Sequence, residues 1–250
     1  PYYQITCPSC HLSDALITHT IWQKSTPIES WVFCDQCKQK NVIKNPEISR
    51  LNPVLPHDAR INRIIFANSR LSLKKDCQLL DFFTQKNAYS LLVLLNAVAR
   101  IDDTMIRETL EFCFTGAVAQ ASKLVFVIRN RQGKAGRPQV GSWISGFWLP
   151  DEFFEIYPWQ CFENRYKKIL AGKKEIHQEI PSVTRHLTQD SLLAQQTGYL
   201  VKCHNAANLS FIKDESVDYV ITDPPHGNRI PYLELSQLWN GWLSLLPDWE

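Results

Sequence analysis

Apolar residues fall along this chain in stretches of two different periods, and the periods predict its elements. Ala15 to Gln23 (ALITHTIWQ) and Trp31 to Phe33 are rich in strand formers, and Ser25-Thr26-Pro27 reads as the turn between them. Asn87 to Arg100 and Asp103 to Ala121 carry apolar residues at helical spacing and are joined by Ile101-Asp102, which predicts a helical hairpin. Lys123 to Val127 reads as a strand or an extended continuation, and Ser142 to Leu149 as another strand. Trp159 to Ala171, after Pro158, reads as an amphipathic helix with a basic face. Lys173 to Gln196 is polar and broken by proline, which predicts a linker or loop.

The last third changes character. Tyr199 to Cys203 reads as a strand and Asn205 to Leu209 as a short helix. The turn Lys213-Asp214-Glu215-Ser216 then leads to a buried strand at Tyr219-Val220-Ile221. That order predicts one parallel α/β step, and such sheets bind ligands beyond the carboxyl ends of their strands. Pro231 opens a further helix, with Glu234 near its positive end. Leu235, Leu238, Trp239, Trp242, Leu243 and Leu246 form its core-facing stripe, so these tryptophans are expected to pack rather than to stack on a ligand.

Composition adds limits. The chain has 250 residues, 44% of them hydrophobic, and a net charge of +2. That suffices for a core, and no apolar run approaches the ~20 residues that span a bilayer. Charge is unevenly spread: Lys123 to Lys174 holds ten Lys/Arg against four Asp/Glu, and Asn205 to Glu250 holds two against seven. Arg129, Arg131, Lys134 and Arg137, interleaved with Gly133 and Gly136, suit a phosphate backbone and are candidate nucleic-acid contacts. A solvated loop is the alternative for any one of them.

Two cysteine pairs carry the first definite chemistry. Cys7-Pro8-Ser9-Cys10 and Cys34-Asp35-Gln36-Cys37 are Cys-x-x-Cys knuckles separated by 23 residues. Four thiolates so spaced satisfy a closed tetrahedral zinc site on a ribbon of strands. A disulfide pair or free thiols are the alternatives. Disulfides are disfavoured because no secretory signal is visible and the other cysteines stand singly at 77, 113, 161 and 203. His11 and His19 are spare ligands that four cysteines make unnecessary.

The second definite feature is Asp223-Pro224-Pro225-His226, directly after the apolar run 219–221. It resembles motif IV of the amino-methyltransferases that act on adenine or cytosine in DNA, with His226 in place of the usual Tyr. The string from Asp218 to Leu243, taken with the cysteine ribbon, resembles one branch in particular: large bacterial and archaeal adenine-specific DNA methylases that contain a zinc ribbon. Phe82 to Asn87, the stretch FTGAVAQASKL, and Trp159 to Lys174 extend the likeness over nearly the whole chain. The resemblance implies an α/β fold with a partial Rossmann-like methyltransferase sheet, a helical region and an N-terminal zinc ribbon. Its divisions would be 1–45 (ribbon), 46–175 (mainly helical, with the basic loop), 176–196 (linker) and 197–250 (partial methyltransferase core).

The same resemblance implies S-adenosylmethionine as methyl donor, DNA as partner and a bacterial or archaeal cytoplasm; a restriction-system partner is left open. Asp223 and the Pro224 carbonyl would accept hydrogens from the target amine, Pro225 would fix the loop, and His226 would stack on a base drawn out of the duplex. Asn205 would touch the donor, unless it merely caps the helix after it. The family's glycine-rich donor loop has no counterpart among the nine glycines, so the chain is expected to be an internal fragment or a degenerate relative. RNA methylation and non-catalytic nucleic-acid binding are the other two function classes in view.

Overall fold

The computed structural model describes residues 2–48, 52–66, 70–129, 138–144, 146–180, 184–195, 197–202, 204–224 and 227–245. They fall into two units, 1–167 with 231–250, and 168–230.

The first unit is built on a seven-stranded sheet: β1 (Gln4–Ile5), β2 (Ala15–Gln23), β3 (Thr26–Phe33), β4 (Lys40–Lys44), β5 (Val125–Ile128), β6 (Gln139–Trp143) and β7 (Glu152–Ile156). The strand order is β4-β3-β2-β7-β5-β6, with β1 paired to β2, and every pairing is antiparallel. The predicted ribbon strand coincides with β2. Its hairpin turns at Lys24, whose backbone is left-handed (φ 56°) and whose amide donates to Asp151 O at 2.6 Å. β7 was not anticipated. Its sequence EFFEI, between Pro150-Asp151 and Pro158, lacks clean alternation, yet it forms the centre of the sheet, pairing from His19↔Ile156 to Gln23↔Glu152.

The helical hairpin is present as α1 (Gln85–Val98) and α2 (Thr104–Val118). Each is started by a side-chain cap: Thr84 Oγ1 accepts from Asn87 N, and Asp103 Oδ1 from Ile106 N. α3 (Pro158–Glu179) outruns its expected end at Ala171, because Lys173 to Glu179 are good helix formers and the next proline comes only at 181. Near its start, Arg165 lies so close to Gly116 of α2 that a Cβ there would stand 3.2 Å from Arg165 Cδ. Of the remaining helices, α4 (Gln189–Gln195) lies in the second unit and α5 (Tyr232–Leu243) in the first.

α5 closes the core of the first unit. Trp242 is fully buried between Phe83 and Phe114, with ring centroids 5.2 and 5.9 Å away, so it packs as its helical spacing predicts. Leu246 lies outside the described residues. Buried Gln237 clamps the irregular segment before α1 by accepting from Phe66 N (2.7 Å) and donating to Phe66 O (2.9 Å).

The core also holds charge. Lys86 Nζ of α1 lies 2.7 Å from Glu155 Oε1 of β7, both side chains 1% exposed, and the ammonium faces the Tyr3 ring at 5.3 Å. Next to it, the Asn87 amide donates to Ala121 O and Ile156 O and accepts from the Tyr3 hydroxyl. Burial pushes that phenol well above its ordinary value, and the Glu155 charge adds to the shift.

The second unit is smaller. β8 (Arg185–His186) and β9 (Tyr199–Leu200) form a parallel pair around α4. The expected partial Rossmann-like sheet is not shown. The principal sheet is antiparallel, and only these two-residue strands run parallel among the described residues. Residues 217–224 form no strand, and Tyr219, Val220 and Ile221 are 80%, 75% and 86% exposed rather than buried. A strand forms only where neighbours take up its amides and carbonyls, and β9 ends at Leu200 with β8 as its one partner strand among the described residues. Asn205 to Leu209 makes turns instead of a helix, and Cys203 is not described.

No helix among the described residues is long and apolar enough to cross a membrane.

Two stability predictions follow from the buried groups. Lys86→Met strands the Glu155 carboxylate and should cost about 3–5 kcal/mol in chemical denaturation, whereas the double variant Lys86→Met/Glu155→Leu should recover at least half of that. His19, held between Trp31 and Phe154, is lowered by burial from 6.5 to about 4. The unfolded chain therefore binds its proton first. Stability from the neutral ring is complete above pH 6.5 and lost as pH falls toward 4, by about 2 kcal/mol at pH 5. His19→Gln should flatten that part of the stability–pH curve.

Candidate metal centre and the Asp-Pro-Pro segment

Cys7 and Cys10 lie on the loop from β1 to β2, and Cys34 and Cys37 on the loop from β3 to β4. Pairing of β2 with β3 brings the two loops to the same end of the sheet. The chain bends alike at both: the residue after each second cysteine, His11 and Lys38, has a left-handed backbone with φ of 61° and 56°. Within the first knuckle, Cys7 N donates to Leu12 O (2.7 Å), His11 N to Cys7 O (3.0 Å) and Ser9 N to Cys7 Sγ (3.4 Å). Cys34 N donates to Gln39 O in the second.

The four sulfurs lie within 4.8 Å of one another. Cys7 Sγ is 3.7 Å from Cys37 Sγ, and Cys10 Sγ is 3.6 Å from Cys34 Sγ. A disulfide needs about 2.05 Å, so these are free thiols. A tetrahedron of sulfurs about 2.3 Å from a zinc ion has edges near 3.8 Å, the spacing seen. The cluster is placed to hold a metal ion such as zinc, and neither histidine belongs to it. Cys7 and Cys34 are also core residues, packed with Tyr3, Ile17 and Val32, so the metal loops and the sheet share one apolar cluster.

The cluster's electrostatics are uneven. The Cys10 amide, together with that of Ser9, draws the Cys7 thiol down to about 6 against the opposing effect of burial. The Leu12 amide acts the same way on Cys10, but burial and the neighbouring sulfurs outweigh it and push that thiol up to about 12. A dication at the centre supplies the charge that lets all four become thiolates. Four protein ligands leave no open position, so the role of such an ion is to hold the fold.

The second candidate site lies apart in the sequence. Asp223 and Pro224 are exposed, in the strandless stretch 217–224. Pro225 and His226 lie outside the described residues; Gly227, left-handed at φ 56°, opens the short 3-10 turn that follows. Asn205 is exposed, and its side chain accepts from Ala207 N at 2.9 Å, so it caps a local turn.

Of the basic candidates, Arg129 is described and Arg131, Lys134 and Arg137 are not. The Arg129 guanidinium grips the Glu152 carboxylate through Nε (3.0 Å) and Nη2, bridging β5 to β7, and remains half-exposed.

Sequence reasoning missed one feature altogether. An aromatic groove runs between the β4-β3-β2 face and the first turns of α3, carrying Trp31 and Trp159. Its only sequence signals were isolated aromatic residues far apart along the chain.

Comparison of the chain with protein-family models, with curated proteins and with solved structures returned no match.

Replacing Cys10 or Cys37 by serine should remove bound zinc, measured by atomic absorption, and loosen residues 2–48 in hydrogen exchange. Acidification should release the ion as protons compete for the thiolates, so zinc retention should be complete above neutrality and fall with pH. Retention of zinc by the quadruple Cys→Ser variant would rule this centre out.

Proposed function

We propose that this protein belongs to an S-adenosylmethionine-dependent amino-methyltransferase that modifies adenine in DNA, with zinc in the four-cysteine site as a structural ion. The observation that carries the reading is the stretch Tyr219 to Pro224. An apolar run of strand-forming residues, exposed to solvent, ends in an acid and a proline. Three large apolar side chains in a row are seldom left in water unless another surface covers them. Paired into a parallel sheet, this run would set Asp223 and Pro224 at a strand's carboxyl end, where such sheets hold their ligands. The resemblance of Asp218 to Leu243 to the zinc-ribbon adenine methylases supports the same reading.

The chemistry assigned to these residues concerns the target amine. An exocyclic amine is a weak nucleophile because its lone pair is delocalised into the base. Accepting its two hydrogens at the Asp223 carboxylate and the Pro224 carbonyl favours a tetrahedral nitrogen with a localised pair. His226 offers a flat ring for the extruded base.

The donor does not fit the described residues equally well. Gly116 lies within α2, Gly141 within β6 against Phe126, and Gly198 beside Thr184 O; none sits on a strand-to-helix turn that would admit a methionine moiety. This chain is therefore assigned the target-handling role, with the donor cradle contributed by other residues of the enzyme.

The test is transfer of a radiolabelled methyl group from S-adenosylmethionine to an adenine-containing duplex, with RNA as competitor. Asp223→Ala should lower transfer by about 10²-fold or more while duplex affinity changes by less than about twofold. Unchanged transfer, or a parallel loss of affinity, would remove Asp223 from the chemistry. Preferential methylation of the RNA would reassign the substrate.

A further inference from the structure

Charge and shape in the groove of the first unit are organised for a planar, amine-bearing, anionic ligand. Its cavity measures about 760 Å³. Cross-strand pairs set its floor: Phe33 opposite Lys40, Trp31 opposite Val42 and Glu29 opposite Lys44, all on one face of β3 and β4. Trp31 is locked in place. Its indole Nε1 donates to Glu29 Oε1 at 2.6 Å, and its ring meets those of His19 and Phe154 at 5.0 and 5.2 Å. Across the groove, Trp159 stands 50% exposed at the start of α3.

The polar groups point to the ligand's chemistry. Glu29 is neutralised by Lys44, and Glu163 by Lys167 at 3.1 Å. Lys40 makes no ion pair among the described residues, so the cavity's one uncompensated charge is positive. Gln160 lines the cavity, and its buried Oε1 has no hydrogen-bond partner among the described residues. A desolvated acceptor left unpaired costs free energy that a ligand N–H recovers. Amide side chains meet such donors on the amine edges of bases.

The groove does not end at Trp159. Tyr157 and Trp159 also line an adjoining cavity of about 550 Å³, whose other walls include Tyr2, Tyr3 and Tyr89. Aromatic rings spaced along a track with a cation beside it are an arrangement that holds successive unpaired bases. Bases within a duplex are already stacked and cannot use it.

We propose that this aromatic track, from Trp31 past Trp159 to Tyr89, binds single-stranded DNA, with Gln160 taking the amine edge of a base and Lys40 a phosphate. The track lies within the first unit and rests on the nucleic-acid reading above only for its choice of DNA.

The test is fluorescence anisotropy of a labelled oligo-dA strand titrated with the zinc-loaded protein, with free dAMP and a duplex as competitors. Trp159→Ala should weaken strand binding about 5- to 100-fold. Lys40→Glu should weaken it and flatten its salt dependence. Both side chains are exposed, so zinc content and circular dichroism should stay unchanged, which separates lost contact from lost fold. Asp223→Ala should leave this binding intact. Strand affinity unaltered in both variants, or dAMP and duplex competing as well as the strand, would overturn the proposal without touching the methyltransferase reading. Strand binding without methyl transfer would do the reverse.

Discussion

The antiparallel pairing of β2 with β7 is the constraint on which the first unit depends. Through it, the four-cysteine hairpin of local contacts is joined to strands that follow the helical hairpin. The pairing also sets β7 between two covered faces, so that Phe153, Phe154, Glu155 and Ile156 are all buried in succession. A carboxylate at such a position requires a cation, and α1 supplies Lys86. The neighbouring Asn87 then joins β7 to the segment after α2 and to Tyr3. Satisfied polar links of this kind specify one register among several that apolar contacts alone would allow.

The four-cysteine cluster acts at the other end of the same hairpin. It holds together two loops whose own hydrogen bonds are few, and two of its sulfurs belong to the apolar cluster under β2 and β3. An ion held there would fix the loops, and the loops finish the core. Trp31 lies on β3, three residues before Cys34, so the order of the metal loops and of the groove floor have a common origin.

The two candidate regions differ in construction. The floor of the groove is fixed by its neighbours, with Trp31 oriented by a buried carboxylate that a lysine neutralises. Burial, opposed and outweighed by Lys44, leaves that Glu29 carboxyl below its ordinary value, hence ionised and able to hold the indole. The Asp-Pro-Pro segment, by contrast, has its defining residues exposed and its apolar strand formers in solvent. Rigid recognition suits the first, and completion by further surface suits the second.

Sequence alone determined what depends on neighbours along the chain. The cysteine spacing, the strand β2, the helices α1 and α2, and the core-facing Trp242 were legible because ligand geometry and periodicity are local. The parallel α/β step was misjudged for the same reason. Strand formers at 219–221 reveal a preference for extended backbone, but a strand exists only where a partner is present. Tertiary structure alone decided that EFFEI becomes the central strand, that Lys86 and Glu155 meet, and that Trp31 and Trp159 line one groove. Those outcomes arise from contacts between residues distant in sequence, whose energies no local pattern records.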